Sequence, residues 1–210
     1  MINIVLADDH AILRQGLRQI LLAQPDLAVS GEAANHGEVM QVVRRVLPDV
    51  LVLDINMPGK NGIDTLKQVK QEYPRLPVLM LSMYPEDQYA VRSLKAGASG
   101  YLTKMAAAEQ LVDAIRMVAR GKKYITPELA QSLADSLDRD VDVPPHELLS
   151  DREFQVLRFI ASGRTLAQIG DELALSPKTV SVYRARLLAK LQVATNADLT
   201  RYALLHQLVD

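Results

Sequence analysis

Across the first 125 residues, short apolar runs alternate with stretches whose apolar residues recur at helical spacing. The runs fall at 2–7, 27–31, 49–53, 77–81 and 100–102, and the helix-period stretches at 10–24, 36–46, 62–73, 86–97 and 106–120. Strands that alternate with helices imply βαβ units and a parallel sheet, because parallel neighbours need a crossover. A run such as Val50-Leu51-Val52-Leu53 suits a strand covered on both faces. In sheets of this kind ligands gather beyond the carboxyl ends of the strands, so chemistry is sought there.

Beyond residue 147 the pattern changes to helices alone. Ser150-Asp151-Arg152-Glu153 forms a capping-box signature, Ser176 precedes a proline at a first helical position, and Thr195 to Asp198 opens a last helix. Between the units, Leu129, Leu133 and Leu137 recur every four residues behind Thr126-Pro127, predicting a helix at 127–137. The polar, proline-ended stretch 138–145 then reads as a linker. The expected division is 1–121, a linker region 122–146 and a helical domain 147–210.

Charge sharpens this division. Residues 1–125 carry 15 Lys/Arg against 13 Asp/Glu, residues 126–146 one against five, and residues 147–210 eight against seven. Zero cysteines excludes disulfides and thiolate chemistry. No run reaches the roughly 18 apolar residues of a spanning helix, and the first residues lack a signal-peptide pattern. A cytoplasmic protein without a membrane partner is expected.

The strand ends carry the chemistry. Asp8 and Asp9 follow the first run, Asp54 the third, Ser82 the fourth and Lys104 the fifth. Parallel strands bring these groups to one edge. Three carboxylates there repel one another unless a cation shares the site, and oxygen ligands suit Mg²⁺. Asp54 is placed as a nucleophile that forms an aspartyl phosphate. Acids that merely cap turns, with Lys104 as their salt bridge, are the plainer alternative; five such residues at successive strand ends argue against it.

These residues, with Met57-Pro58-Gly59, Ala96-Gly97-Ala98 and Gly100-Tyr101-Leu102, resemble the receiver domain of two-component response regulators. The resemblance implies a flavodoxin-like five-stranded parallel sheet of order 2-1-3-4-5. It further implies that Asp54 takes a phosphoryl group from the phosphohistidine of a sensor histidine kinase. Asp8, Asp9, Asp54 and the backbone carbonyl of Asn56 would hold Mg²⁺, and Ser82 and Lys104 would meet phosphoryl oxygens. Ser82 and Tyr101 would form the switch, Tyr101 by swinging inward. Met105 stands where many receivers have proline. Tyr84, two residues past Ser82, is expected to flank the attacking water, and His10 to be structural.

In the helical unit, the stretch 177–191 directs Val180, Leu187, Leu188 and Leu191 inward and concentrates basic residues. Leu149 to Glu153, Ile160-Ala161-Ser162-Gly163, and Leu173 through Val180 resemble the LuxR-type helix-turn-helix. The whole chain thereby resembles the NarL/FixJ family of response regulators, most like its GacA/UvrY subgroup. The resemblance implies that 177–191 lies in the major groove. Lys178, Thr179, Ser181, Val182, Arg184, Ala185, Arg186 and Lys190 are the candidate DNA contacts. Many relatives have lysine and histidine where this chain has Ser181 and Tyr183. Leu199 and Tyr202 are candidates for a dimer surface.

The expected function is a phosphorylation-switched regulator of transcription that binds promoter DNA, pairs into a homodimer on phosphorylation and meets RNA polymerase. It would catalyse only its own phosphorylation and slow dephosphorylation. A haloacid-dehalogenase-type phosphatase would need an aspartate two residues past the nucleophile, where this chain has Asn56. A receiver with a protein-docking helical tail is the other alternative.

Overall fold

The structure, a computed structural model, describes residues 1–57, 60–83, 86–106, 108–138 and 144–209. The chain divides into two units, Met1–Ser136 and Leu137–Asp210. In the first, β1 (Ile2–Ala7), β2 (Leu27–Ala33), β3 (Val50–Asp54), β4 (Val78–Ser82) and β5 (Gly100–Thr103) form one parallel sheet in the order β2-β1-β3-β4-β5. The expected order is therefore the observed one. Helices α1 (Ala11–Leu22), α2 (His36–Val46), α3 (Gly62–Glu72), α4 (Glu86–Lys95) and α5 (Ala108–Ala119) are the crossovers between strands and the closing helix. Every residue of β3 and β4 is buried, which their unbroken apolar runs require.

Two strand ends differ from the sequence reading in a way that matters. β3 runs on to include Asp54 and β4 to include Ser82, because Asp54 pairs with Leu81 and Ser82 with Thr103. Both polar residues thus take their place from the sheet ladder. A helix α6 (Pro127–Asp138) follows, with Leu129 only 1% exposed. Residues 139–143 of the expected acidic linker, with Pro58, Gly59 and Tyr84, lie outside the described residues.

The second unit begins with a short 3-10 turn, Pro145–Leu148, followed by α7 (Asp151–Ala161), α8 (Leu166–Leu173), α9 (Pro177–Lys190) and α10 (Asn196–Leu205). The expected helix starts at Ser150, Ser176 and Thr195 are N-caps, and Ser150 and Thr195 close full capping boxes with Glu153 and Asp198. A further box, Thr165 with Gln168, opens α8. α7 packs against α8, α9 and α10, burying Phe154, Leu157, Ile169, Val180, Leu187 and Leu199.

The tight turn from α8 into α9 is set by two residues. Ala174 takes a left-handed conformation (φ 52°), and Leu175 N–H donates to Gly170 C=O at 2.8 Å. A Cβ at Gly170 would come within 2.6 Å of Leu175 O, so only glycine lets the turn close this tightly.

Candidate phosphoacceptor site and nucleic-acid interface

Asp8, just beyond β1, and Asp54, the last residue of β3, are each 1% exposed. The Lys104 ammonium, delivered by the end of β5, lies 2.7 Å from Asp8 Oδ2 and 2.8 Å from Asp54 Oδ2. The backbone fixes this approach: Lys104 N–H donates to Ser82 C=O at 2.7 Å. Ser82 itself is 1% exposed at the end of β4. The sheet therefore brings Asp8, Asp54, Ser82 and Lys104 to one edge.

The electrostatics are those of crowded, buried carboxylates. Burial pushes the Asp54 carboxyl up to about 6; the Asp8 charge adds to this, while Lys104 and the Asn56 backbone N–H oppose it. Burial works against the Lys104 charge, but the two carboxylates beside it hold its pKa above the ordinary lysine value. Asp9, 29% exposed at its side chain, is 2.8 Å from His10 Nδ1. His10 also reaches Asp8 Oδ1 through its backbone N–H at 2.8 Å and its ring at 3.3 Å.

The residues suit a divalent cation. Asp8 Oδ2 and Asp54 Oδ2 are buried and share the single Lys104 ammonium, and Asp9 Oδ1 is buried beside the His10 ring. Ligand atoms of Asp8, Asp9, His10 and Asp54 all lie within 4.8 Å of one another. Clustered oxygens short of donors are what a hard cation requires.

Three residues that the sequence reading passed over also shape the site. Arg14 donates to the Asp8 carbonyl at 2.5 Å and to Glu32 at 3.0 Å, bracing the turn after β1. Asn61, 1% exposed, caps α3 by accepting from Ile63 N–H at 2.8 Å. Gly62 packs on the backbone of Asp54, and a Cβ there would sit 2.2 Å from Asp54 O. An N-cap asparagine before a glycine is a legible signal; the close approach itself is not.

Tyr101, the expected switch aromatic, lies deep in the first unit. Its ring is 0% exposed, already in the buried position that the expected inward movement would reach. It lies in β5, paired with Met80 and covered by α4.

On the helical unit, α9 buries Val180 and Leu187, with Leu191 just beyond its end, whereas Leu188 is half-buried. Lys178, Ser181, Val182, Ala185, Arg186 and Lys190 are exposed and Thr179 half-exposed beside the Ser176 cap. Two of the basic candidates are already engaged. Arg184 Nε donates to Asn196 Oδ1 on α10 at 2.5 Å, and Lys190 lies 2.6 Å from Glu153 Oε2. Arg186 stands 5.9 Å over the Tyr183 ring.

Leu199 requires correction. At 0% exposure it belongs to the core of the unit, because it sits on the α10 face that packs on α7, and it cannot form a dimer surface. Tyr202 is half-exposed and hydrogen-bonds with His146 at 3.1 Å, while Leu204 and Leu205 are outward apolar residues of α10 at 51% and 76% exposure.

Residues 4–116 match the response regulator receiver domain, and residues 147–203 match the bacterial regulatory proteins of the luxR family. The chain is a two-component response regulator. It is 37% identical to the response regulator GacA of Pseudomonas viridiflava over 211 residues, covering all of this chain and 99% of the relative. It is 35% identical to the response regulator UvrY of Escherichia coli K12, covering 99% and 96%. Among solved structures it is similar to RcsB of Salmonella enterica serovar Typhimurium, bound to the promoter rprA in the presence of the phosphomimetic BeF3⁻. That likeness has a TM-score of 0.65 and 26% identity and covers 96% of this chain and 97% of RcsB. As a response regulator, the chain joins a receiver to a LuxR-type DNA-binding domain, and among its described residues no helix is long and apolar enough to cross a membrane.

Proposed function

We propose that this response regulator accepts a phosphoryl group on Asp54 from the phosphohistidine of a sensor histidine kinase and thereby controls binding of its helical unit to promoter DNA. The observation that carries this reading is the Asp54 carboxylate, buried at the sheet edge beside Asp8, with the two carboxylates sharing the one Lys104 ammonium. A carboxylate short of solvation is a competent nucleophile. One Asp54 oxygen forms the new bond to phosphorus as the phosphorus–nitrogen bond breaks, and the electron pair leaves with the kinase imidazole.

Asp8, Asp9 and Asp54, with the Asn56 carbonyl, are the residues that would hold Mg²⁺. When bound, the ion supplies charge neutralisation for the transferring group. Lys104 exchanges its carboxylate contacts for a phosphoryl oxygen, and Ser82 offers its hydroxyl to another. The chain promotes its own phosphorylation and slow hydrolysis and turns over no external substrate.

One copy of the helical unit presents few free cations and neutralises few phosphates. Two copies on adjacent half-sites supply the missing affinity, so we read the active form as a homodimer on an imperfect inverted repeat that acts on RNA polymerase nearby. Tyr202 and the exposed end of α10 are the candidate pairing surface.

The test is intact mass after incubation with acetyl phosphate and Mg²⁺. Wild type gains one phosphoryl group. Asp54→Ala, or wild type in excess EDTA, gains none; a phosphoryl group on either refutes the assignment.

A further inference from the structure

α9 has a reading face on which Lys178 is the one charged side chain. At about 100° per residue, the buried Val180 and Leu187 and the following Leu191 share one direction. Lys178, Val182, Ala185 and Ala189 then lie within about 40° of the opposite direction, with Ser181 and Arg186 on its two flanks. The exposures agree: Val182 is 47% exposed, and Ala185 and Ala189 are exposed beside it. A helix-turn-helix presents the outward face of its second helix, chiefly the N-terminal half, to base edges.

Of the two candidate arginines on α9, one stands away from this face. Arg184 falls only about 40° from the buried direction. It is half-buried, with its Nε held by Asn196 on α10 at 2.5 Å. Lys190 is drawn to Glu153. Beyond Lys178 the reading face continues through Val182 and Ala185, which can offer a base edge only methyl groups.

Only one major-groove group complements a methyl. Thymine carries its 5-methyl there, whereas guanine, cytosine and adenine present polar atoms that an isopropyl group would desolvate without a partner. Val182 and Ala185 are one helical turn apart, about 4.5 Å along the axis, close to the spacing of neighbouring base pairs. Resting on the DNA-binding reading of this unit, we infer that Val182 and Ala185 read the 5-methyl groups of thymines at adjacent positions of each half-site. Operator choice is made in part by this apolar contact, beside Lys178 on the same face and Arg186 on its flank.

The experiment uses the full chain, phosphorylated with acetyl phosphate and Mg²⁺. Bound sequences are first enriched from a random double-stranded pool. Each thymine of the enriched half-site is then replaced singly by deoxyuridine, which removes only the methyl. Wild type should lose about three- to fourfold in affinity at one or two adjacent thymines, the scale of one buried methyl. Val182→Ala, an exposed and structurally mild change, should lower affinity for the thymine duplex and become indifferent to uracil at one of those positions. Arg184→Lys should keep the wild-type dependence on both methyls.

Tight, selective binding that ignores the methyl at every position overturns the inference and leaves DNA binding intact. So does a Val182→Ala protein with unchanged methyl dependence. A pool that yields no enriched sequence overturns the DNA-binding reading itself, and this inference with it.

Discussion

Lys104 Nζ lies 2.8 Å from Asp54 Oδ2, with both side chains almost wholly buried at 3% and 2% exposure. The ammonium occupies the place of charge balance for the phosphoacceptor before any phosphoryl group arrives. It also contacts Asp8 at 2.7 Å, so one cation serves two buried carboxylates. That shared arrangement makes Lys104 a structural element as well as a phosphoryl contact.

Lys104→Ala should therefore destabilise the protein most when no divalent cation is present. Removing one partner of a buried ion pair costs about 3–5 kcal/mol, because the remaining charge is left unpaired. Mg²⁺ should restore more stability to the variant than to wild type, since the same carboxylates are then neutralised by the ion. Thermal unfolding with EDTA and with excess Mg²⁺ measures both. Equal Mg²⁺ gains in the two proteins would contradict the shared-cation picture.

Asp54→Asn should stabilise the metal-free protein at neutral pH. Burial raises the folded-state pKa to about 6 from 3.8, so between these values the folded state keeps a proton that the unfolded chain has lost. Stability therefore falls as pH rises through this window. The amide removes that dependence. In EDTA the variant should exceed wild type by about 2–3 kcal/mol at pH 7.5, with the gap closing near pH 4. Urea unfolding at the two pH values gives the difference; a gap that widens toward acid pH reverses the sign and defeats the argument.

Gly62→Ala should fail at the phosphoacceptor. The added Cβ would sit 2.2 Å from Asp54 O and 2.6 Å from Ile55 Cα, both backbone atoms with no room to yield cheaply. A shift there displaces the Asp54 carboxylate from Lys104. We expect a stability loss of about 2 kcal/mol or more and slower phosphorylation by acetyl phosphate under conditions where the variant remains folded. A folded variant that is phosphorylated at the wild-type rate would show that the backbone tolerates the contact.

Glu153 should matter more than its surface partner. It is 3% exposed, accepts from Ser150 N–H at 2.8 Å, and lies 2.6 Å from Lys190. Burial works against its charge, yet these partners prevail and hold its pKa below the ordinary glutamate value. Its stabilising contribution is present above the unfolded-state pKa and is lost as pH falls through the folded one. Glu153→Ala, which leaves the capping box open, should lower the unfolding temperature of the helical unit more than Lys190→Ala, since Lys190 is 44% exposed and returns to water. Calorimetry on both variants decides it.

Local pattern alone set much of this molecule. Short apolar runs alternating with period-3.6 stretches placed five strands and their helices, and Ser150, Ser176 and Thr195 marked helix starts through side chains that reach backbone donors three residues on. The identities and spacing of Asp8, Asp9, Asp54, Ser82 and Lys104 named the candidate phosphoacceptor site, because parallel strands carry consecutive C-terminal ends to one edge. What the chain could not disclose depends on approach between distant segments. Gly62 against the Asp54 carbonyl, Asn196 drawing Arg184 away from the reading face, and Leu199 lying in the core instead of on a partner surface each join residues with no shared local pattern. Periodicity fixes which face of a helix is apolar or basic; only the packing of one element on another decides which of those side chains remain free to meet a ligand.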